Sequence, residues 1–402
     1  MTMNVLVFNC GSSSLKYRLI AMPGEEQLSS GEAQRIGPPT AKPSCLVLHG
    51  NGRPNETRTI PMRNHAEALQ QVVAVLRETP DAMPDVIGHR LVNGGPTITD
   101  RSWIDDSVLA ELIACQDLAP IHNPPAIATI QACREMFPGL PQIVISDTNY
   151  HRTIPLHART YAIPQDVSRA MGIRKYGYHG ISHQYVVTET ARLMNIPLDR
   201  FRAVSCHLGS GGASLCAVVD GRSIDNTMGY SPLQGLIMST RCGDLDPGIT
   251  LSLLADTMGD RSAVETRLNN KSGVLGLSGR SADIRDALDS GADDSGSDRN
   301  QMTAQVYLWR LKKYLGAYLA LVGRADAVIF TDTIGETVPR VRQAVCSGMD
   351  VFGIRLDTER NASARQLPAD VATSDSPVRV WAVATNEEIS IARSVYQAQC
   401  ES

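Results

Sequence analysis

The sequence predicts an α/β protein built as two similar halves with a cleft between them. Three observations carry that reading. Short apolar runs such as Val5-Leu6-Val7-Phe8 and Ala203-Val204-Ser205-Cys206 end in polar, glycine-rich turns, the pattern of buried strands. Segments of helical period follow them, an alternation that places ligands at the carboxyl ends of strands. The strand, Gly/Ser turn and return strand near the N-terminus recur at 203–221, so the second half repeats the pattern of the first.

Taken in order, the strand at 5–8 leads into a polar turn at 9–14, and 15–20 alternates as a second strand paired with the first. Residues 35–44 (RIGPPTAKPS) read as a Pro-rich loop. Asn64 caps a helix at 64–78, and a short strand at 85–88 delivers His89 and Arg90. A helix at 107–115, a stiff turn at 120–125 (PIHNPP) and a helix at 126–136 precede a strand at 143–145, whose carboxyl end presents Ser146, Asp147 and Thr148. A helix near 182–194 comes before the strand at 203–206, the turn at 207–212 and the return strand at 213–219. Residues 289–299 (DSGADDSGSDR) read as an acidic surface loop. A helix at 301–322, a strand at 326–330, a turn at 331–336, a strand at 378–384 and a helix at 386–398 close the chain, the last returning to the first half.

Composition excludes several classes. A chain of 402 residues, 43% hydrophobic and 20% charged, is neither disordered, collagen-like nor a small disulfide scaffold, and its length suits two or three domains. A formal net charge of −4 gives no whole-protein attraction for nucleic acid or an anionic membrane, so a bound anion must be held by a local cluster of donors. Nine cysteines without a C-x-x-C fit neither a zinc site nor a secreted framework and read as reduced structural thiols. The first residues lack the basic region of a signal peptide, and no stretch reaches the ~18 apolar residues that span a bilayer, so a cytoplasmic location is expected.

Four segments carry candidate chemistry. Asn9-Cys10-Gly11-Ser12-Ser13-Ser14-Leu15-Lys16 gathers hydroxyls, backbone N–H groups and one ammonium at a strand end, where they can cradle a phosphate, although the P-loop pattern is absent. Arg90 stands between a strand and the Gly94-Gly95 turn, and Arg241 in a loop rich in Gly, Asp and Pro; a guanidinium recognises carboxylate or phosphate as a fork. His179 lies between Gly177 and Gly180, which lets backbone approach a ligand. His183 follows at a spacing of four, but H-E-x-x-H is not satisfied, so zinc is not assigned, and Ser182 reads as a helix cap.

Together the motifs NCGSSSLK, GHRLVNGG, SDTNYHRTIP, YGYHGISH, HLGSGGAS, NTMGYSPLQGLIMSTRCGDLDPG, SGVLGLSGRSADIRD and TNEEISIAR, with the HNPP turn, resemble the acetate kinase family, in its order and from about residue 4 to 393. The resemblance implies two duplicated ribonuclease H-like, actin-like ATPase domains around a central cleft, the first at 1–148 plus 388–402 and the second, nucleotide-binding, at 149–387. It implies reversible transfer of a phosphoryl group from ATP to acetate, giving acetyl phosphate and ADP, with Mg²⁺ (Mn²⁺ as an alternative), in a homodimer with no nucleic-acid or membrane partner. Asp147, Arg90, His179 and Arg241 would be catalytic, with His179 and Arg241 stabilising the transition state. Arg90, Val92, Ile121 and Pro232 would bind acetate. Ser12 and Ser14 would contact phosphate, and Asn9 and Glu387, with Asp147, would organise the metal. Lys16, His207, Gly209, Ser210, Gly211, Gly212, Asp283, Ile284, Arg285, Thr333, Ile334, Gly335 and Thr337 would face the nucleotide.

The residues agree with that chemistry. A carboxylate acceptor is ionised at neutral pH, so no strong general base is required, and positioning with charge neutralisation suffices. Direct in-line transfer without a phosphoenzyme is expected. The sequence departs from the family pattern mainly at the turns beside the nucleotide: Ser210 stands where Asn is usual, Asp332 and Thr333 replace small residues, and Thr337 replaces Asn. Asn93, Asn149, Ser239 and the pair Val383-Ala384 also differ. A side chain where glycine is usual narrows a pocket, so another phosphoryl donor, propionate or another short-chain acid as acceptor, and a non-catalytic nucleotide-binding homologue are the alternatives.

Overall fold

The computed structural model describes residues 2–37, 42–49, 55–78, 83–98, 101–120, 122–289 and 297–401, which fall into two compact units. Ile121, residues 38–41 of the Pro-rich segment and 290–296 of the acidic segment lie outside the described residues.

The first unit comprises Met1–Asn149 with Asn386–Ser402. Its strands are β1 (Met3–Cys10), β2 (Ser14–Met22), β3 (Glu26–Gln34), β4 (Cys45–Leu48), β5 (Glu56–Thr59), β6 (Val86–Leu91), β7 (Ser102–Trp103) and β8 (Gln142–Ser146), in the order β5-β4-β3-β2-β1-β6-β8-β7. β1 is a central strand, its backbone paired on both sides: β2 antiparallel, pairing Asn9 with Lys16, and β6 parallel, pairing Phe8 with His89, while its apolar side chains are buried by the helices on the two sheet faces. Leu69, Val72 and Leu76 of the helix His65–Glu78 and Ile127 and Ile130 of the helix Asn123–Met136 pack into a core with Leu6, Phe8, Ile87 and Val144. The C-terminal helix Glu387–Glu401 packs on β1 and β6. A Cβ at Gly88 would lie 2.9 Å from the side chains of both Ile391 and Val395, so only glycine allows this close approach.

Local chemistry explains the boundaries. Asn64 caps its helix as expected, its Oδ1 accepting the Glu67 N–H at 2.9 Å. The helix expected at 126–136 starts at Asn123, because Pro124 and Pro125 occupy the first turn, where a missing N–H is tolerated. β6 runs through Leu91, so Arg90 is inside the strand rather than beyond it.

The second unit, Tyr150–Thr385, holds β9 (Ala203–Leu208), β10 (Ala213–Val219), β11 (Arg222–Asn226), β12 (Ala327–Thr331), β13 (Ala369–Asp370) and β14 (Arg379–Ala382), ordered β11-β10-β9-β12-β14-β13. That order reproduces β3-β2-β1-β6-β8-β7 of the first unit, with the same antiparallel hairpin followed by two parallel strands. The duplicated α/β architecture expected from the sequence is therefore present, and β4 and β5 extend the first copy. Val186, Val187 and Ala191 of the helix Gly180–Leu193 pack on Ala203, Val218 and Ile329.

Three expectations are corrected here. Ser182 is not a helix cap: the helix begins at Gly180, after His179 in a left-handed conformation, and the Ser182 hydroxyl bonds His207 instead. The segment expected as a turn at 331–336 is a short helix, Asp332–Thr337. The last residues of the expected acidic loop already belong to the helix Ser297–Val322.

Candidate active site

Three parallel strands of the first unit bring Asn9 (β1), Arg90 (β6) and Asp147 (just past β8) to one end of the sheet. Arg90 Nε and Nη2 donate to Asp147 Oδ1 and Oδ2 at 3.1 and 2.6 Å, a fork that fixes the guanidinium plane. Its Nη1 donates to Asn9 Oδ1 at 2.8 Å and lies 3.6 Å from Glu387 Oε2. Three of the five N–H donors are thus engaged in hydrogen bonds with described residues, and Glu387 faces Nη1 as well. Burial opposes the charge on Arg90, but Asp147 and Glu387 outweigh it and hold its pKa above the usual arginine range.

Glu387 lies in the first unit, although the expected boundary put it at the edge of the second. Asn9 Nδ2 donates to Glu387 Oε2 at 3.0 Å and to Glu388 Oε1 at 3.3 Å. Arg18 supports the same helix start through Asn386 Oδ1 at 3.0 Å and Glu388 Oε2 at 3.9 Å. Sequence reasoning missed Glu388 and Arg18; the adjacency of Glu388 to Glu387 was the available signal. Among the described residues no three His, Cys, Asp or Glu side chains are placed to hold a metal by themselves.

The β1–β2 turn closes through the Gly11 N–H on Ser14 O at 2.9 Å, with Ser12 and Lys16 exposed and Ser14 half-buried. Val92 is half-buried just beyond β6. Asn93 is fully buried and shapes the double-glycine turn, its Oδ1 accepting the Gly95 N–H at 2.8 Å.

In the second unit, β9, β10 and β12 align His207 with Ser214 and Thr331, so His207, Ser214 and Asp332 cluster at the strand ends. His179 stacks on His207 with ring centroids 4.1 Å apart. Arg241 donates to the carbonyls of Pro232 and Gly211 at 2.9 and 3.0 Å, and among the described residues no carboxylate pairs with it. Burial therefore pushes its pKa down. A Cβ at Gly212 would lie 2.9 Å from Arg241 Nη2 and 3.3 Å from His179, so this glycine is what admits both side chains.

Hydrogen-bond accounting assigns the His179 tautomer. Ser214 Oγ lies 2.9 Å from His179 Nδ1 and 2.9 Å from His183 Nε2, and His183 Nδ1 lies 2.8 Å from Ser205 Oγ. Burial, with His151 and His207 nearby, drives the His183 pKa well below its usual value, so the ring is neutral and carries one N–H. If His183 donated to Ser205, the buried Ser205 hydroxyl would have no acceptor among the described residues. The satisfied arrangement runs Ser205 O–H to His183 Nδ1, His183 Nε2–H to Ser214, and Ser214 O–H to His179 Nδ1. A neutral His179 then carries its proton on Nε2, as a hydrogen-bond donor. The sequence marked His183 only for its spacing from His179; its partners become visible when the strands are paired.

The remaining expected nucleotide residues also lie in this unit. Gly209, Asp283, Ile284 and Ile334 line one pocket with Ser210 and Tyr307. The Gly209 N–H closes the turn on Gly212 O at 2.9 Å, and the Ser239 hydroxyl donates to Ser210 O. Arg285 is paired with Asp283 at 2.9 Å and does not line that pocket. The Thr337 hydroxyl is engaged within its own helix, on Thr333 O at 2.6 Å. A fully buried Arg342, not foreseen, holds the helix from below through Gly335 O and Glu336 O at 2.7 and 2.9 Å. Pro232 is half-buried, its carbonyl accepting from Arg241.

The acetokinase family model matches residues 4–393. An acetate kinase of Dictyoglomus thermophilum is 40% identical over 397 residues, covering 97% of this chain and 98% of that protein. One of Alkaliphilus metalliredigens is 42% identical over 398 residues, again covering 97% and 98%. Among solved structures, Porphyromonas gingivalis acetate kinase superposes with a TM-score of 0.89 at 35% identity, covering 98% of this chain and 99% of that one. A propionate kinase from Francisella tularensis superposes with a TM-score of 0.88 at 32% identity, covering 98% of each chain.

Proposed function

The chain belongs to the acetokinase family, and on that premise we propose that it transfers a phosphoryl group reversibly between ATP and acetate. The observation that carries this reading is Arg90, a guanidinium fixed in place by Asp147 and Asn9, the kind of group that receives an anionic acceptor. An acetate oxygen attacks the γ-phosphorus, the bond from phosphorus to the bridging oxygen of ADP breaks, and its electron pair stays on ADP. The acceptor is already ionised, so no side chain has to remove a proton. Arg90 orients the carboxylate. Arg241, with no carboxylate pairing it among the described residues, and His179, as an Nε2–H donor, take charge developing on the transferred group. The Gly209–Gly212 turn and His207 face the donor's phosphates, and the pocket at Asp283, Ile284 and Ile334 takes its base.

Mg²⁺ takes hard oxygen ligands and is usually held by one or two carboxylates together with substrate phosphates and water. Glu387 and Glu388, adjacent at one helix start, are such a pair of carboxylates and would hold the ion, while Asn9 turns its NH2 to them and its carbonyl oxygen to Arg90 and so would position the carboxylates. When bound, the ion supplies neutralisation of the donor's phosphate charge. The same reading makes the enzyme a cytoplasmic homodimer.

Trapping the acyl phosphate as a hydroxamate tests the proposal. Turnover with acetate and ATP is expected, and its loss in Arg90→Ala and Arg241→Ala. Propionate belongs in the same assay, because the Francisella relative is a propionate kinase and one methylene changes binding by only about 1–3 kcal/mol. No acyl phosphate from either acid would sink the reading and leave a nucleotide-binding homologue.

A further inference from the structure

Asp332 has a backbone and a set of bonds that the transfer reaction does not explain. It adopts a left-handed conformation, φ 61°, which a non-glycine residue occupies at a cost, and such strain at the first residue of a short helix calls for a reason. Its carboxylate accepts from His207 Nε2 at 3.0 Å. The other His207 nitrogen faces Ser182 Oγ at 2.9 Å, so both are engaged. The second carboxylate oxygen takes the Thr333 N–H at 2.6 Å and the Thr333 hydroxyl at 3.0 Å. The group also overhangs the glycine turn: a Cβ at Gly209 would lie only 2.3 Å from Asp332 Oδ2.

We propose that Asp332 is an internal competitor for the phosphoryl donor, its carboxylate taking the place on His207 and over Gly209 that a phosphate oxygen of the donor takes. The inference rests on the donor assignment above and names a residue that sets the strength of donor binding. His207 Nε2–H, the Thr333 N–H and the Thr333 hydroxyl are the kinds of donor that receive a phosphate oxygen, and one carboxylate satisfies all three. Burial raises the Asp332 pKa, but the His207 and Thr333 hydrogen bonds outweigh it and hold the group well below the usual carboxylate range. The competitor therefore carries a full negative charge at neutral pH. An incoming polyphosphate meets both an occupied donor set and a like charge, and binds only as Asp332 leaves His207. The side chain is 30% exposed, so it has room to leave.

Two variants test this. Asp332→Gly removes the carboxylate and relieves the left-handed backbone, so its folding is not at risk. Asp332→Asn keeps the size and drops the charge. The dissociation constants of ATP and ADP, measured by calorimetry without acetate, are expected to fall about three- to tenfold in Asp332→Gly and by less in Asp332→Asn. In the hydroxamate assay the donor KM is expected to fall with them while the acetate KM stays put. Unchanged or weaker nucleotide binding in Asp332→Gly would overturn the inference, weaker binding meaning that Asp332 holds the donor rather than competing with it. Failure of the kinase reading shows separately, as absence of acyl phosphate from the unaltered chain, and leaves the calorimetric comparison intact.

Discussion

The guanidinium of Arg90 is clamped to the carboxylate of Asp147 by two parallel hydrogen bonds, at 3.1 and 2.6 Å, with Asp147 itself only 1% exposed. This pair decides where the remaining Arg90 donors point. Removing one partner of a buried ion pair costs about 3–5 kcal/mol, because the other charge is left uncompensated. Asp147→Ala also releases the fork that aims the Arg90 donors, and such misplacement is expected to lower kcat/KM for acetate by on the order of a hundredfold. It is also expected to lower the melting temperature. Arg90→Lys is expected to fail similarly, because an ammonium keeps the charge but not the fork. A normal acetate KM in Asp147→Ala would show that Asn9 and Glu387 alone position Arg90.

Ser214 connects His179 to His183, with 2.9 Å to each ring. Ser214→Ala removes the hydroxyl that donates to His179 Nδ1, so the Nε2–H form is less strongly favoured. The expected result is a fall in kcat of about tenfold with little change in either KM, the size of one hydrogen bond in the transition state. Ser214→Thr keeps the hydroxyl and is expected to restore most of the rate. Nitrogen-15 NMR of the histidine rings reads the tautomer directly. A His179 that remains Nε2-protonated in Ser214→Ala would remove Ser214 from the argument.

Much of this is legible in the amino-acid sequence alone. The buried runs at 5–8 and 203–206 and the polar turns after them identify the two hairpins, because an apolar strand beside a Gly/Ser turn has few other ways to bury itself. Asn9, Arg90, Asp147, His179 and Arg241 were marked by residue type and by resemblance to a family. What escaped notice was relational. Arg342 reads as an ordinary surface arginine until the fold encloses it beneath Gly335 and Glu336. Ser205 and Ser214 are ordinary strand residues in a linear reading, and only antiparallel pairing of β9 with β10 brings both to His183. The strands β3, β4 and β5 were not anticipated either, since Glu26–Gln34 and Glu56–Thr59 have the weak alternation of sheet-edge extensions.

Buried histidines set the expected dependence of stability on pH. Burial lowers His89 and His151 to about 4 and His183 well below its usual value. All three titrate near 6.5 when unfolded, so between about 6.5 and 4 the unfolded chain binds more protons than the native one. Stability is then complete above pH 6.5 and is lost as the pH falls, by up to ~1.4 kcal/mol per pH unit for each histidine. Glu336, raised by burial, acts in the opposite direction above its unfolded value of 4.5, one group against three. Asp332, held low, contributes only below 3.8. Urea midpoints measured at pH 7.5, 6 and 5 are expected to fall in that order. A flat series would mean that these rings are not neutral in the folded protein.

Gly212 separates stability from catalysis. Gly212 lies in the turn between β9 and β10 rather than in the core, and its φ is not in the left-handed region, so alanine adds a methyl group without backbone strain. The added Cβ would sit 2.9 Å from Arg241 Nη2 and 3.3 Å from the His179 ring. Arg241 cannot simply swing aside, because its two Nη atoms are held on Pro232 O and Gly211 O. His179 is fixed by Ser214 and by its stack on His207, so the displacement falls on the two groups that take charge from the transferred phosphoryl. A misplacement of about 1 Å is enough to cost on the order of a hundredfold in rate. Gly212→Ala is therefore expected to melt within a few degrees of the unaltered chain while kcat falls by about two orders of magnitude. Parallel calorimetric melts and hydroxamate assays check both halves, and a variant that keeps its rate would show that Arg241 and His179 tolerate the shift.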